Sequence, residues 1–151
     1  MSSPAAGMYC TALLDDLLVG IPIGQVQEIL RTIELTPVPL AAPSVVGVVN
    51  LRGQIVTALD LRRRLHRPER DPGATVRGIV VATRFGSVTL LVDDIGEVVN
   101  CDAELFEATP TTLSASLRAW IRGAYKLQTA LLLVLDVDAV ADVGRDAPDV
   151  S

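Results

Sequence analysis

Aromatic side chains make up only 3% of this 151-residue chain, and none falls in its one arginine-rich stretch, Arg62, Arg63, Arg64, Arg67 and Arg70. Without aromatic partners, that stretch reads as a solvated helix end and loop rather than a track for nucleic acid. Basic charge is in deficit overall: thirteen Lys and Arg face eighteen Asp and Glu, for a net charge of -5. That balance disfavours nucleic acid and anionic membrane surfaces as partners. Long apolar runs are missing too. The longest, 130–135, is far short of the roughly 20 residues a membrane helix requires, so no direct membrane insertion is expected. The first seven residues carry no Lys or Arg and lead into no signal-like segment, which predicts a cytoplasmic protein.

Cysteine occurs twice, as Cys10 and Cys101, in no metal or redox spacing, so a reduced, packed pair is expected. Histidine occurs once. His66 sits among arginines with no second ligand or nucleophile near it in sequence, and reads as a surface residue. Asp15-Asp16 and Asp93-Asp94 are paired carboxylates, but each pair falls at a predicted turn, where aspartate caps backbone amides. Gly20 to Gly24 and Gly47 to Gly53 match neither nucleotide fingerprint. No catalytic residue, cofactor or metal site is therefore expected, and the chain suits holding partners better than transforming them.

What is present is a rhythm of short β-branched and apolar segments. Strands are predicted at 9–14, 17–23, 45–49, 55–61, 76–82, 87–92, 95–99, 120–125 and 130–135. Asn50-Leu51-Arg52-Gly53 is the best hairpin turn, because Asn and Gly tolerate the dihedrals of a tight reversal. Val26, Ile29 and Leu30 recur at helical spacing, which predicts a helical turn or two before Pro37 and Pro39, with Glu28 beside its apolar face. Leu113 and Leu117 suggest a brief helical turn. Asp136 is placed to cap a closing helix over 137–143, and the tail 144–151 is expected to be disordered. Pro68, Asp71, Pro72 and Gly73 make 67–75 a flexible polar connection between two groups of strands, a first lobe over 17–66 and a second over 76–136. The N-terminal strand could pair with either lobe. Two small barrels fit this inventory better than one open sheet.

Gly47-Val48-Val49-Asn50-Leu51-Arg52-Gly53-Gln54-Ile55-Val56, followed by Leu59-Asp60-Leu61-Arg62, resembles the signature hairpin of the CheW family. Val26-Gln27-Glu28-Ile29 and Pro37-Val38-Pro39 upstream are similar to the family's first-lobe helix and proline segment. Leu91-Val92-Asp93, Trp120-Ile121-Arg122-Gly123 and Leu135-Asp136 downstream are similar to its second lobe and closing helix, so the resemblance spans a single domain over 9–143. It implies an all-β fold of two small five-stranded SH3-like barrels packed around a shared apolar core, with short helices including one near the C-terminus.

The function it implies is a non-catalytic chemotaxis adaptor, coupling the cytoplasmic helices of methyl-accepting chemoreceptors to the regulatory domain of the histidine kinase CheA. Such an adaptor is cytoplasmic and recruited to membrane-associated receptor arrays. The alternatives are an adaptor of another chemosensory pathway, such as pilus-based motility, and an unrelated β-barrel ligand carrier with one apolar lumen. The resemblance places a receptor groove at Val26, Glu28, Ile29, Gly47, Arg52, Ile95 and Val98, with Glu28 and Arg52 as an ion pair. It makes Asn50, Leu51, Arg52 and Gly53 the structural hairpin. Thr57 stands where the family usually has proline and Thr89 where many members have glycine; the first is expected to alter an edge strand's stiffness and the second to add a β-branched side chain near the groove.

Overall fold

The computed structural model describes residues 7–39, 43–102, 105–108 and 113–142. Its strands are β1 (Gly7–Leu14), β2 (Leu17–Pro22), β3 (Val26–Leu30), β4 (Leu35–Thr36), β5 (Val45–Leu51), β6 (Gln54–Asp60), β7 (Arg77–Thr83), β8 (Gly86–Val92), β9 (Asp94–Cys101), β10 (Phe106–Glu107), β11 (Ile121–Lys126) and β12 (Leu131–Leu135). A 3-10 turn, Ile23–Gln25, precedes β3, and short helices α1 (Leu61–Arg64), α2 (Ala115–Arg118) and α3 (Val137–Ala141) complete the described elements. The strands form two six-stranded sheets, in the orders β10-β11-β12-β2-β1-β9 and β3-β7-β8-β6-β5-β4. In each sheet five principal strands are joined by one two-residue strand, β10 or β4. This is the expected all-β architecture of two small units, and the described residues form two sheets rather than the single large barrel of a ligand carrier.

The sheets do not follow the expected sequential lobes. Residues 77–92 pair into the sheet built from 26–60, while 94–135 join β1 and β2. The reason lies in two parallel pairings, Leu59 opposite Leu90 between β6 and β8, and Leu133 opposite Val19 between β12 and β2. Parallel neighbours cannot be joined by a tight hairpin, so each brings together segments distant in sequence. The apolar runs of β8 and β12 are buried on both faces, as interior strands require.

The predicted helix over 26–30 is a strand. β3 pairs antiparallel with β7, placing Ile29 opposite Ile79 and Glu28 opposite Val80. Its residues alternate between half-buried (Val26, Glu28, Leu30) and exposed (Gln27, Ile29). Five residues are too few for helical periodicity to outweigh the backbone ladder offered by β7.

A shared core joins the sheets. Leu14, Val19 and Ile21 from the first meet Leu59, Ile79, Val81 and Leu90 from the second, with Leu61, Leu117 and Val140 of the helices. Tyr9, Cys101, Tyr125, Leu132 and Val134 form a smaller cluster in the first sheet. Cys10 and Cys101 are buried free thiols, and burial raises the pKa of both above the ordinary thiol value. Helix α2 follows the expected turn at Leu117, and Asp136 caps α3 by accepting the Ala139 N–H at 3.1 Å. Residue 143 and the tail 144–151 lie outside the described residues.

The arginine cluster is not simply solvated. Arg64 is 2% exposed: its Nε donates to the Val140 carbonyl at 2.8 Å, and its guanidinium lies 4.9 Å from the Trp120 ring centroid, tying α1 to α3. Arg67 pairs with Asp15 at 2.9 Å and Arg70 with Asp60 at 2.9 Å, so both charged ends of the expected flexible connection are strapped down. His66 is exposed, as expected, and has a φ of 56°.

Candidate functional site

Arg52 and Gly53 form the two-residue tip between β5 and β6, with φ of 50° and 89°, the all-positive pattern of an I′ hairpin turn. Asn50 completes the turn, its side-chain carbonyl accepting the Gly53 N–H at 2.9 Å. Leu51 opens the reversal opposite Gln54. The expected hairpin is therefore formed by the residues singled out for it. From its tip Arg52 reaches across to β3, where Nη2 donates to Glu28 Oε1 at 2.6 Å and Nη1 to Oε2 at 3.2 Å. This two-pronged pair is the strong form of the carboxylate–guanidinium contact. It holds the Glu28 carboxyl below its usual pKa, chiefly through the hydrogen bond and secondarily through the Arg52 charge, against an opposing effect of burial.

The pair borders an open cavity of about 430 Å³ whose wall also includes Gln27, Gln54, Val56, Val80 and Ser87. Ser87 donates to Gln27 Oε1 at 2.7 Å on its rim. None of these five was among the expected site residues. The strand alternation of β3 would have pointed to Gln27, but the helical reading of 26–30 concealed it.

The remaining groove residues are divided between the sheets. Val26 and Ile29 lie on β3, an edge of the second sheet, and Ile95 and Val98 on β9, an edge of the first. Val26 and Ile95 are half-buried and pack against the shared core, whereas Ile29 is 36% and Val98 49% exposed. Gly47 is buried with φ of 154°, and a Cβ there would stand 2.3 Å from the Thr36 carbonyl oxygen. The close backbone approach that it permits is by the chain's own β4 segment. Thr57 lies on β6, which is paired on both sides and is no edge strand. Thr89 is fully buried against Gly78, and it pairs with Val80, the β7 residue opposite Glu28.

Among the described residues, no group of three or more His, Cys, Asp or Glu side chains is placed to hold a metal ion. The Glu28–Arg52 pair thus pins the hairpin tip to β3, while the aliphatic side chains of Val26 and Ile29, and of Ile95 and Val98, lie on two edge strands, one in each sheet.

A model of the CheW-like domain matches residues 9–144. The chain is 32% identical over 122 residues to the chemotaxis protein CheW of Bacillus subtilis, covering 81% of this chain and 78% of that one. It is 34% identical over 103 residues to the protein FrzA of Myxococcus xanthus, covering 61% of this chain and 64% of that one. The crystal structure of the scaffolding protein TtCheW from Thermoanaerobacter tengcongensis superposes with a TM-score of 0.82 at 23% identity, over 91% of this chain and 93% of that one.

Proposed function

The chain belongs to the CheW-like family, and from that premise we propose that it is a non-catalytic adaptor coupling methyl-accepting chemoreceptors to the histidine kinase CheA. The receptor's paired cytoplasmic helices lie across Val26, Ile29, Ile95 and Val98, beside Glu28 and Arg52. The regulatory domain of CheA binds elsewhere on the two sheets. No helix among the described residues is long and apolar enough to cross a membrane, and the adaptor reaches the membrane-associated array through its receptor.

The observation that carries this reading is the two-pronged Glu28–Arg52 pair, which spends a guanidinium on shaping an exposed hairpin tip rather than on the core. The pair joins two segments far apart in sequence and gives the tip one orientation for a partner to recognise. Arg52→Asp should leave the chain folded, since the turn faces solvent, and should weaken sedimentation with receptor and kinase by placing two carboxylates together. Glu28→Arg combined with Arg52→Asp should restore part of the assembly and of receptor-dependent kinase autophosphorylation. Full assembly by Arg52→Asp or by Glu28→Arg alone, or unfolding of either, would remove the support this pair gives.

A further inference from the structure

The chain changes sheet at one residue. β8 ends at Val92 in the second sheet and β9 begins at Asp94 in the first, so Asp93 alone carries the crossover. Its N–H donates to the Leu13 carbonyl at 3.0 Å. Its carboxylate accepts four hydrogen bonds: the Asp15 N–H at 2.7 Å and Arg62 Nη2 at 2.6 Å on Oδ2, and Arg62 Nε and Arg70 Nε, each at 2.9 Å, on Oδ1. A carboxylate offers about four lone-pair sites, so this one is filled.

The donors are themselves fixed. Arg62 Nη1 donates to the Pro68 carbonyl at 2.7 Å, and Arg70 reaches Asp60 at 2.9 Å and the Leu91 carbonyl at 3.2 Å. Asp60 also caps α1 through the Arg62 N–H at 3.0 Å. The β1–β2 turn, α1, the 67–75 segment and the crossover therefore converge on one carboxylate.

β9 depends on that point more than an interior strand would. Among the described residues it is an edge strand with β1 as its only ladder partner, and the ladder is interrupted by a register shift between Cys10 and Ala12. Thr11 marks the break by donating its hydroxyl to the Glu97 carbonyl at 2.6 Å. Before the break, Asp94 and Ile95 are held by two residue pairings, with Leu13 and Ala12. Apolar packing beneath Ile95 is non-directional, whereas the charge-assisted bonds at Asp93 are directional.

We propose that Asp93 is a positioning residue for the receptor groove: it fixes the direction in which β9 leaves the crossover, and so the presentation of Ile95 and Val98 relative to Val26 and the Glu28–Arg52 pair. This rests on the groove assigned under the proposed function. Asp93→Asn retains the side-chain shape but turns an amide donor toward arginine donors. Arg62→Lys keeps the charge, loses the fork and serves as the milder variant should the first fail to fold.

The test measures, for both variants, binding of a receptor cytoplasmic fragment, binding of the CheA regulatory domain, and amide hydrogen exchange along the chain. The expected result is faster exchange over 94–98 with β11 and β12 unchanged, receptor affinity down roughly tenfold, and kinase affinity within about twofold of wild type. Unchanged exchange over 94–98 overturns the proposal, as does a proportional loss of both partners. Faster exchange with unchanged receptor affinity overturns it as well, and Val98→Asp then separates the causes. If Val98→Asp weakens receptor binding, Asp93 is not the positioning residue; if it does not, the groove assignment itself has failed.

Discussion

Single side chains in this molecule divide into those whose polar atoms are fully answered and those whose atoms are not. Asp93 belongs to the first kind. Thr89 belongs to the second: it is fully buried in β8, and its Oγ1 has no hydrogen-bond partner among the described residues. Its methyl lies 3.0 Å from where a Cβ on Gly78 would stand, so the site is already filled to the volume of a β-branched residue. Thr89→Val keeps that volume and removes the unanswered hydroxyl. It should stabilise the fold by about 1 kcal/mol in urea unfolding, because an unpaired buried hydroxyl costs that much or more. No gain, or a loss, would show that the hydroxyl is satisfied in solution. Nothing in the chain pattern marks Thr89 as buried and unpaired, since its partners Val80 and Ala58 are brought to it only by the sheet.

Among the elements, β4 is a two-residue strap laid over β5, with Leu35 opposite Val49 and Thr36 opposite Val48. Gly47 makes the crossing possible. Gly47→Ala should displace β4, because both the backbone conformation and the 2.3 Å approach to Thr36 exclude a Cβ. A cost of about 1–3 kcal/mol is expected in chemical denaturation, with faster exchange of the Val48 and Val49 amides. Wild-type stability would mean that the strap is already loose. Much of the element inventory was legible in the sequence. The hairpin at Asn50 to Gly53, the aspartate cap of α3 and the buried run of β12 each follow from local chemistry. What was not legible depended on partners distant in sequence. Val26 to Leu30 show helical spacing and strand alternation at once, and only β7 decides between them. The role of Arg62 and Arg70 was hidden in the same way, because their acceptor, Asp93, is brought near by a parallel pairing.

The whole molecule carries opposed titrations that bound its stable range. At Asp93, burial acts to raise the pKa, but the Arg62 hydrogen bonds, the Asp15 N–H and the arginine charges outweigh it, and the folded value lies below the ordinary one. Stability from such a group is present above the unfolded pKa of about 3.9 and is lost as pH falls through the folded value. Tyr125 runs the other way. Burial, and then its contact with Tyr9 at 3.4 Å, raise its pKa, so its contribution is complete below the unfolded value of about 10 and is lost as pH rises beyond it. The melting temperature should therefore fall below about pH 4 and above about pH 9–10, the acid limb shallower in Asp93→Asn and the alkaline limb shallower in Tyr125→Phe. Limbs unchanged in those variants would assign the losses to other groups.

The interleaved sheets also impose a schedule on synthesis. All strands of the second sheet lie between Val26 and Val92, so it has every strand it needs once that stretch has left the ribosome. β1 and β2 emerge first, yet β2 finds its parallel neighbour only in β12, close to the C-terminal end of the described residues. The earliest hairpin made is thus among the last to be enclosed: between the exit of Val92 and that of Leu131, Val19 and Ile21 have the second sheet to pack against but not yet β12.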